Sequence, residues 1–515
     1  MSTSSFLPAV AVAVPALAIV PIALSRGRPA LRESWTFGAA LTLFAVVLWL
    51  LRRVIRGETV ATPAVAFLPE APLVLAVDAL GMTFGLVASG LWVVTSLYSV
   101  GYMRGVAADH QTGFFAAFAA SLSTAIGVAF AGNLVTLFVF YELLTLATYP
   151  LVVHPRTATA RAAGRKYVLF TLGGGIAVLA GTVMVSGLAG STTFTAGGLP
   201  TMLGADPLIA RVAFALLAGG FGVKAALMPV HGWLPDAMVA PTPVSGLLHA
   251  VAVVKSGVFG IARVILDIYG PEVVRDLGVG RPLAVLAAVT MVLAAVIALR
   301  QDRLKRGLAY STVSQLSYIV LGLALLTPAA VQGALLHLSA HAFMKIVLFF
   351  CAGLIYVETH VDRIDDLAGI GRRLPITMTI FAVASAGLIG LPLVAGFVSK
   401  WYLLTGMMGP RERVFGLTLL IAGLLKLLFF WPIVRAAFFP DRWSDALRSP
   451  SAVADGSGSV GVRERWERKR GRIEADWRLL LPVGAGILVA VVYGIVPTAL
   501  PFYDLAAAVV EGAFP

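Results

Sequence analysis

One acid and four bases stand inside long apolar stretches of this sequence. Glu142 lies in NLVTLFVFYELLTLATYPLVV and Lys224 in LLAGGFGVKAALMPVHGWLPDA. Lys255 lies in SGLLHAVAVVKSGVFGIARV, Lys345 in GALLHLSAHAFMKIVLFFCAG and Lys400 in LPLVAGFVSKWYLLTG. An ionisable side chain away from water costs a few kcal/mol on insertion scales, so its presence points to work on charge. Lysines near a span end can snorkel to the headgroups, which suits Lys166 and Lys305. It does not suit Lys224 and Lys255, flanked on both sides by apolar turns. Histidine titrates nearest neutrality. His337, His341 and Lys345 are spaced i, i+4, i+8, which on a helix places all three on one face, about 6 Å per step. A file of titratable groups on one face is what a proton relay needs. His231 and His249 lie near the Lys224 and Lys255 stretches, and Tyr310, Thr312, Ser314 and Gln315 cluster in LAYSTVSQLSY. These are expected as supporting polar groups holding water between titratable ones, although hydroxyls in spans often bond their own helix backbone.

The elements that must position these groups follow from composition. Of 515 residues, 59% are hydrophobic and 13% charged, with a mean hydropathy of +0.91. That excludes a soluble enzyme, whose charged fraction is about 25%. Continuous apolar runs, without period-two alternation, exclude a transmembrane β-barrel. A spanning helix needs about 20 apolar residues. Fourteen segments qualify: 6–25, 34–54, 72–99, 112–131, 133–153, 165–187, 209–230, 243–265, 281–299, 308–326, 331–357, 375–408, 412–437 and 478–498. The expected fold is an all-α polytopic membrane protein of about fourteen transmembrane helices. Pro229 ends the seventh segment, and Pro392, between Gly390 and Gly396, breaks the twelfth. Proline removes a backbone donor and clashes one turn back. Broken helices in corresponding positions of two halves mark an ion path near the membrane midplane. Two inverted five-helix repeats are therefore expected, at 112–265 and 281–437. Three helices precede them in 1–111, a basic loop follows at 438–477, and a last helix and tail occupy 478–515.

Lysine and arginine collect in loops after odd-numbered segments, the richest being 154–166, 300–307, 358–374 and 435–478. The positive-inside rule then places those loops in the cytoplasm and both termini outside. It also accounts for the net charge of +13 without nucleic acid. The single cysteine, Cys351, allows neither an intrachain disulfide nor a cysteine metal site. No P-loop, dinucleotide fingerprint, zinc or haem motif occurs, so no cofactor and no metal are expected. In 438–477, a flexible ADGSGSVG is followed by RERWERKRGRIEADW, a candidate basic surface helix or a solvated loop. Neither this loop nor Lys426, in AGLLKLLFFWPIV, receives a role from the sequence. Spacing alone implies an ion or proton translocator and leaves the ion open; a purely structural membrane anchor would not need charges at mid-span.

Several blocks carry a more specific resemblance. VKAALMPVHGWLPDAMVAPTPVSGLLHAVAVVKSGVF, LKRGLAYSTVSQLSY, HLSAHAFMKIVLFFCAG and FYELLTLATYPL lie within roughly residues 75–430. Together they resemble the antiporter-like subunits shared by respiratory complex I and Mrp-type cation/proton antiporters. The resemblance implies that Glu142 modulates the proton affinity of Lys224. It also implies that Lys255 and Lys345 pass protons along the membrane axis, and that Lys400 faces one exit. A lysine at the twelfth-span position, and a chain ending soon after its last segment, are most similar to the D-type subunits of Mrp antiporters. The expected function is then that of the proton-translocating subunit of a multi-subunit Na⁺/H⁺ antiporter in the cell inner membrane. The alternative is a proton-pumping membrane-arm subunit of a complex I-like NADH-quinone oxidoreductase or a membrane-bound hydrogenase. Either implies partner membrane subunits, H⁺ and possibly Na⁺, and a surrounding bilayer.

Overall fold

Helix starts in this chain are written as caps. Asp78, Asn133 and Thr157 accept hydrogen bonds from the backbone N–H three residues on, at 2.8, 2.7 and 3.1 Å. Asp206 caps the N–H groups of Leu208 and Ile209, with Pro207 pre-set at the first helical position. Each satisfies an orphan donor of a first turn. The computed structural model describes residues 2–68, 71–439 and 474–514. Its first helices are α1 (Leu7–Leu24), α2 (Pro29–Val54), α3 (Ala79–Gly105), α4 (Gln111–Ala129), α5 (Leu134–Val152), α6 (Ala158–Ala189) and α7 (Pro207–Lys224). An interrupted region follows: α8 (Trp233–Asp236), α9 (Thr242–Gly246), a π-helical turn at Leu247–Val251, α10 (Val253–Arg263), a second at Val264–Tyr269, and α11 (Gly270–Asp276). The second half comprises α12 (Gly280–Ala298), α13 (Leu304–Ala324), α14 (Pro328–Thr359), α15 (Pro375–Ile389), α16 (Ala395–Thr405) and α17 (Arg413–Phe438). The helices Trp477–Ile495 and Phe502–Ala513 close the described chain.

The all-helical polytopic fold is as expected, with corrections at particular spans. Among the described residues, twelve helices are long and apolar enough to cross a membrane, or thirteen if one bent pair counts as a span. The eighth expected segment is not one helix, because π-helical turns interrupt it before and after Lys255. The twelfth divides into α15 and α16 around Pro392. The third begins at Ala79, not at residue 72, because Ala71–Leu73 and Ala76–Val77 are short strands, as are Thr59–Ala61 and Val65–Leu68 before them. Thr59–Ala61 pairs parallel with Ser2–Ser4 and antiparallel with Ala76–Val77. The seventh helix stops at Lys224, five residues before the break expected at Pro229. The basic stretch 440–473 lies outside the described residues.

Burial sorts the helices into inner and outer. The apolar window of α14 is buried throughout and that of α13 almost throughout, while α1, α2, α17 and Trp477–Ile495 keep most of theirs on the outside. Outer apolar surface is what a bilayer or a partner subunit covers. A helix buried on every side has no wet face for its polar groups, so those groups must find partners inside.

Candidate functional site

Both interrupted spans leave carbonyls without helical partners, and side chains take them up. At the end of α7, the Trp233 indole N–H donates to Val223 O at 2.8 Å. The Met228 N–H is held by Thr290 Oγ1 of α12 at 3.1 Å. Lys224, the last residue of α7 and fully buried, donates to the backbone carbonyl of Tyr141 on α5. Its ammonium lies 3.2 Å from the centre of the Tyr141 ring. A cation at a helix C-terminus also sits at the negative end of the dipole. Glu142 is the next residue of α5, but it makes no ion pair with Lys224; its buried Oε1 has no hydrogen-bond partner among the described residues. The carboxylate rests on Gly175 of α6, where any side chain would collide with it. Gly257 of α10 plays the same part beside Lys224, since a Cβ there would meet the backbone of Lys224 and Ala225. The Lys224 terminus and the Lys255 helix can touch only because that residue is glycine.

From Lys255 onward the groups are close neighbours. Lys255 Nζ donates to Leu338 O at 2.7 Å and lies 3.1 Å from His341 Nδ1. The His341 and His337 rings are 6.0 Å apart, centre to centre, one turn along α14. His337 is held on both nitrogens, Nδ1 to Ser399 Oγ and Nε2 to Gln315 Oε1, each at 2.8 Å. Gln315 Nε2 donates to Leu388 O at 2.8 Å. The same carbonyl, freed by the break after α15, also accepts from Lys400, which donates to Ile389 O at 2.8 Å as well. Hydrogen bonds thus join Lys255 to His341 and His337 to Lys400 across α10, α14, α13, α15 and α16, and between these two sets the His341 and His337 rings are neighbours without a hydrogen bond. In a neutral His337, Gln315 Oε1 can only accept, so Nε2 carries the ring proton and Nδ1 accepts from Ser399.

Lys345 branches from this line, donating to Ser311 Oγ and to Leu308 O of α13. His249 sits in the first π-helical turn, against the Phe349 ring at 4.7 Å, with both ring nitrogens unpartnered among the described residues. Such turns recur at functional positions because they re-aim one residue. All four lysines and the three in-span histidines are buried, and none faces outward.

The expected supporting groups divide. Gln315 is central. Thr312 bonds only Leu308 O of its own helix, and Ser314 ties α13 to Met291 O of α12 at 2.8 Å. Tyr310 and His231 face each other at 6.1 Å, away from the Lys255–Lys400 contacts. Ser311 and Ser399, which sequence reasoning passes over, make the contacts instead. Also missed is a buried cluster in which Arg263 pairs with Asp78 at 2.5 Å and Asp267 at 2.7 Å. The i, i+4 spacing of Arg263 and Asp267 within an apolar run is its legible signal. Asp78, 185 residues away in sequence, is not legible.

A cavity of about 1050 Å³ opens among residues of the odd-numbered loops, including Lys166, Asp236, Lys305 and Asp362. Lys166 and Asp236 are paired across it at 2.7 Å. Among the described residues, no group of three or more His, Cys, Asp or Glu side chains could hold a metal ion.

Interrupted spans around an interior file of amines and imidazoles define, by architecture, a polytopic membrane protein of the ion-translocating class. The family model described as "NADH:quinone oxidoreductase/Mrp antiporter, TM" matches residues 131–425, and the chain belongs to that family. It is 31% identical over 467 residues to NADH-quinone oxidoreductase subunit N of Desulforudis audaxviator, covering 89% of each chain. It is 32% identical over 431 residues to the A/B subunit of a probable K(+)/H(+) antiporter of Rhizobium meliloti, covering 81% of this chain and 42% of that one. Its fold is similar to a chain of the Mrp complex from Dietzia sp. DQ12-45-1b, with a TM-score of 0.82 at 22% identity over 99% of this chain and 97% of that one.

Proposed function

We propose that this chain is the proton-translocating membrane subunit of a multi-subunit monovalent cation/proton antiporter, resembling the D-type subunits of Mrp assemblies. The observation that carries the reading is the buried file of Lys255, His341, His337, Gln315 and Lys400, hydrogen-bonded on either side of the 6.0 Å step between the two imidazoles. Protons move between its lysines and histidines by successive uptake and release through water, while Gln315 holds His337 beside the Lys400 carbonyl site and carries no proton itself. Glu142 acts on Lys224 as a switch. A carboxylate brought within about 4–6 Å favours the ammonium, and its withdrawal favours proton release in the low dielectric. That the two stand unpaired here supports an arrangement in which they approach and separate. The proposal includes two five-helix repeats, 112–265 and 281–437, with their interruptions at Lys224 and at the α15–α16 break. It places the odd-numbered loops, and the cavity among them, in the cytoplasm, with both termini outside.

Moving one charge against 100 mV costs about 2.3 kcal/mol. In this reading another ion's gradient supplies it through partner subunits. The relation to an NADH-quinone oxidoreductase subunit N over 89% of both chains supports a second reading, a proton-pumping component of a membrane arm that a redox partner drives. The deciding experiment is Na⁺- or K⁺-dependent ΔpH in everted vesicles carrying the full assembly and lacking native antiporters. Cation-dependent ΔpH is expected. Its absence, together with NADH- or H₂-driven proton uptake, would replace the first reading with the second.

A further inference from the structure

Lys426 is a fifth buried lysine, and neither the spacing of the sequence nor the line from Lys255 to Lys400 uses it. It projects inward from α17 and is 2% exposed. Its Nζ has no hydrogen-bond partner among the described residues. What it does have is the face of Tyr318, 3.9 Å from the ring centre. Lys400 Nζ lies 5.2 Å from the centre of the same ring. Tyr318 is itself fixed, with its hydroxyl donating to Leu419 O of α17 at 3.2 Å and its ring stacked on His337.

The two amines are unequally served. Lys400 donates to two carbonyls freed at the C-terminal end of α15, a setting suited to an ammonium. Lys426 has only a ring face, which suits a neutral amine with a free lone pair and supports an ammonium through the ring quadrupole alone. Two buried ammonium groups on one ring repel each other at low dielectric, so charge on one disfavours charge on the other. The titratable groups facing Lys426 are Lys400 of α16, Tyr318 of α13, His337 of α14 stacked on Tyr318 and, further off, Lys345 of α14. The α15 helix contains no ionisable residue, and the only one on α12 is Arg281, exposed in its first turn. The 365–373 loop meets the far end of α17, near Ala436.

We propose that Lys426 is a second proton-accepting amine at the Lys400 end of the axis, and that the two lysines carry charge in alternation across the shared Tyr318 ring. In the transfer an N–H bond of the Lys400 ammonium breaks and leaves its electron pair on Lys400. The proton ends on the lone pair of Lys426 through bridging water, and no other reactant is consumed. The inference rests on the proton-transfer reading above.

The test is the initial rate of cation-dependent ΔpH in everted vesicles holding the full assembly, measured against pH. Lys426→Met removes both the acceptor and the repulsion that drives the proton off Lys400. The rate at neutral pH is expected to fall about tenfold and the profile to move about one unit alkaline. Tyr318→Leu keeps both amines and their repulsion but removes the ring that supports the ammonium, so it lowers the rate and moves the profile acid, opposite to Lys426→Met, while Tyr318→Phe keeps the ring and the acid shift is absent. Where Lys426→Met lowers the amount of assembled complex, Lys426→Gln serves in its place. A wild-type rate and an unmoved profile for the assembled Lys426 variant overturn the proposal. Lys224→Met is the control for the underlying reading. If it is inactive while the Lys426 variant is silent, only this inference falls; if it too transports normally, the axis reading falls with it.

Discussion

Lys255 Nζ and His341 Nδ1 meet at 3.1 Å, across the contact between α10 and α14. When Lys255 is charged its ammonium has only protons to give, and it already donates to Leu338 O, so in that state Nδ1 is the acceptor. The neutral imidazole then carries its proton on Nε2, which is buried and has no partner among the described residues. One ring therefore has a loaded side and an open side, the arrangement a relay residue requires.

Replacing His341 should interrupt that step. A positioned acid–base group contributes about 10²–10⁴-fold to a proton transfer. His341→Leu is expected to lower cation-dependent ΔpH formation at least about 10²-fold, with unchanged assembly. A rate within twofold of wild type would remove His341 from the path.

Glu142 and Lys224 offer a graded series. Glu142→Gln abolishes the charge that acts on Lys224 and is expected to reduce transport strongly, while Glu142→Asp keeps part of it. Gly175→Ala leaves every titratable group in place but drives a methyl group against the carboxylate. It is expected to give an intermediate rate in the same vesicle assay. Normal transport by Glu142→Gln would end the switch idea.

The α13 helix separates carrying residues from merely polar ones. Gln315→Leu cuts the contact between His337 and Leu388 O and should reduce transport by an order of magnitude or more. Thr312→Val removes a bond within one helix and should leave the rate unchanged. Ser314→Ala loses the tie to Met291 O and should cost about 1 kcal/mol of stability with little effect on rate. Parallel rate and thermal-stability measurements on the three variants distinguish these outcomes.

Asp78→Ala tests the buried ion cluster. Removing one partner of a buried pair typically costs about 3–5 kcal/mol. Asp78 is a third exposed and Arg263 retains Asp267. A loss nearer about 2 kcal/mol is therefore expected, read as a lower melting temperature of the detergent-solubilised complex. An unchanged melting temperature would show that Asp267 alone satisfies the guanidinium.

The amino-acid sequence by itself determined that this is a polytopic helical membrane protein, because bilayer insertion depends on long apolar runs that are read locally. It also singled out Glu142, Lys224, Lys255, Lys345 and Lys400, since a charge in such a run is anomalous wherever the run packs. The i, i+4, i+8 file on α14 was legible for the same reason, being periodicity within one helix. Tertiary structure alone decided which groups touch. Gln315 rather than Thr312 joins the line because of the direction in which α13 meets α14 and α15, and Ser399 joins because the α15–α16 break brings α16 against His337. The end of α7 at Lys224, the π-helical turns around Lys255, the Asp78–Arg263 pair and the sharing of Tyr318 by Lys400 and Lys426 are all non-local. The ion pair and the shared ring depend on groups supplied by different helices, and no window along the chain contains both partners.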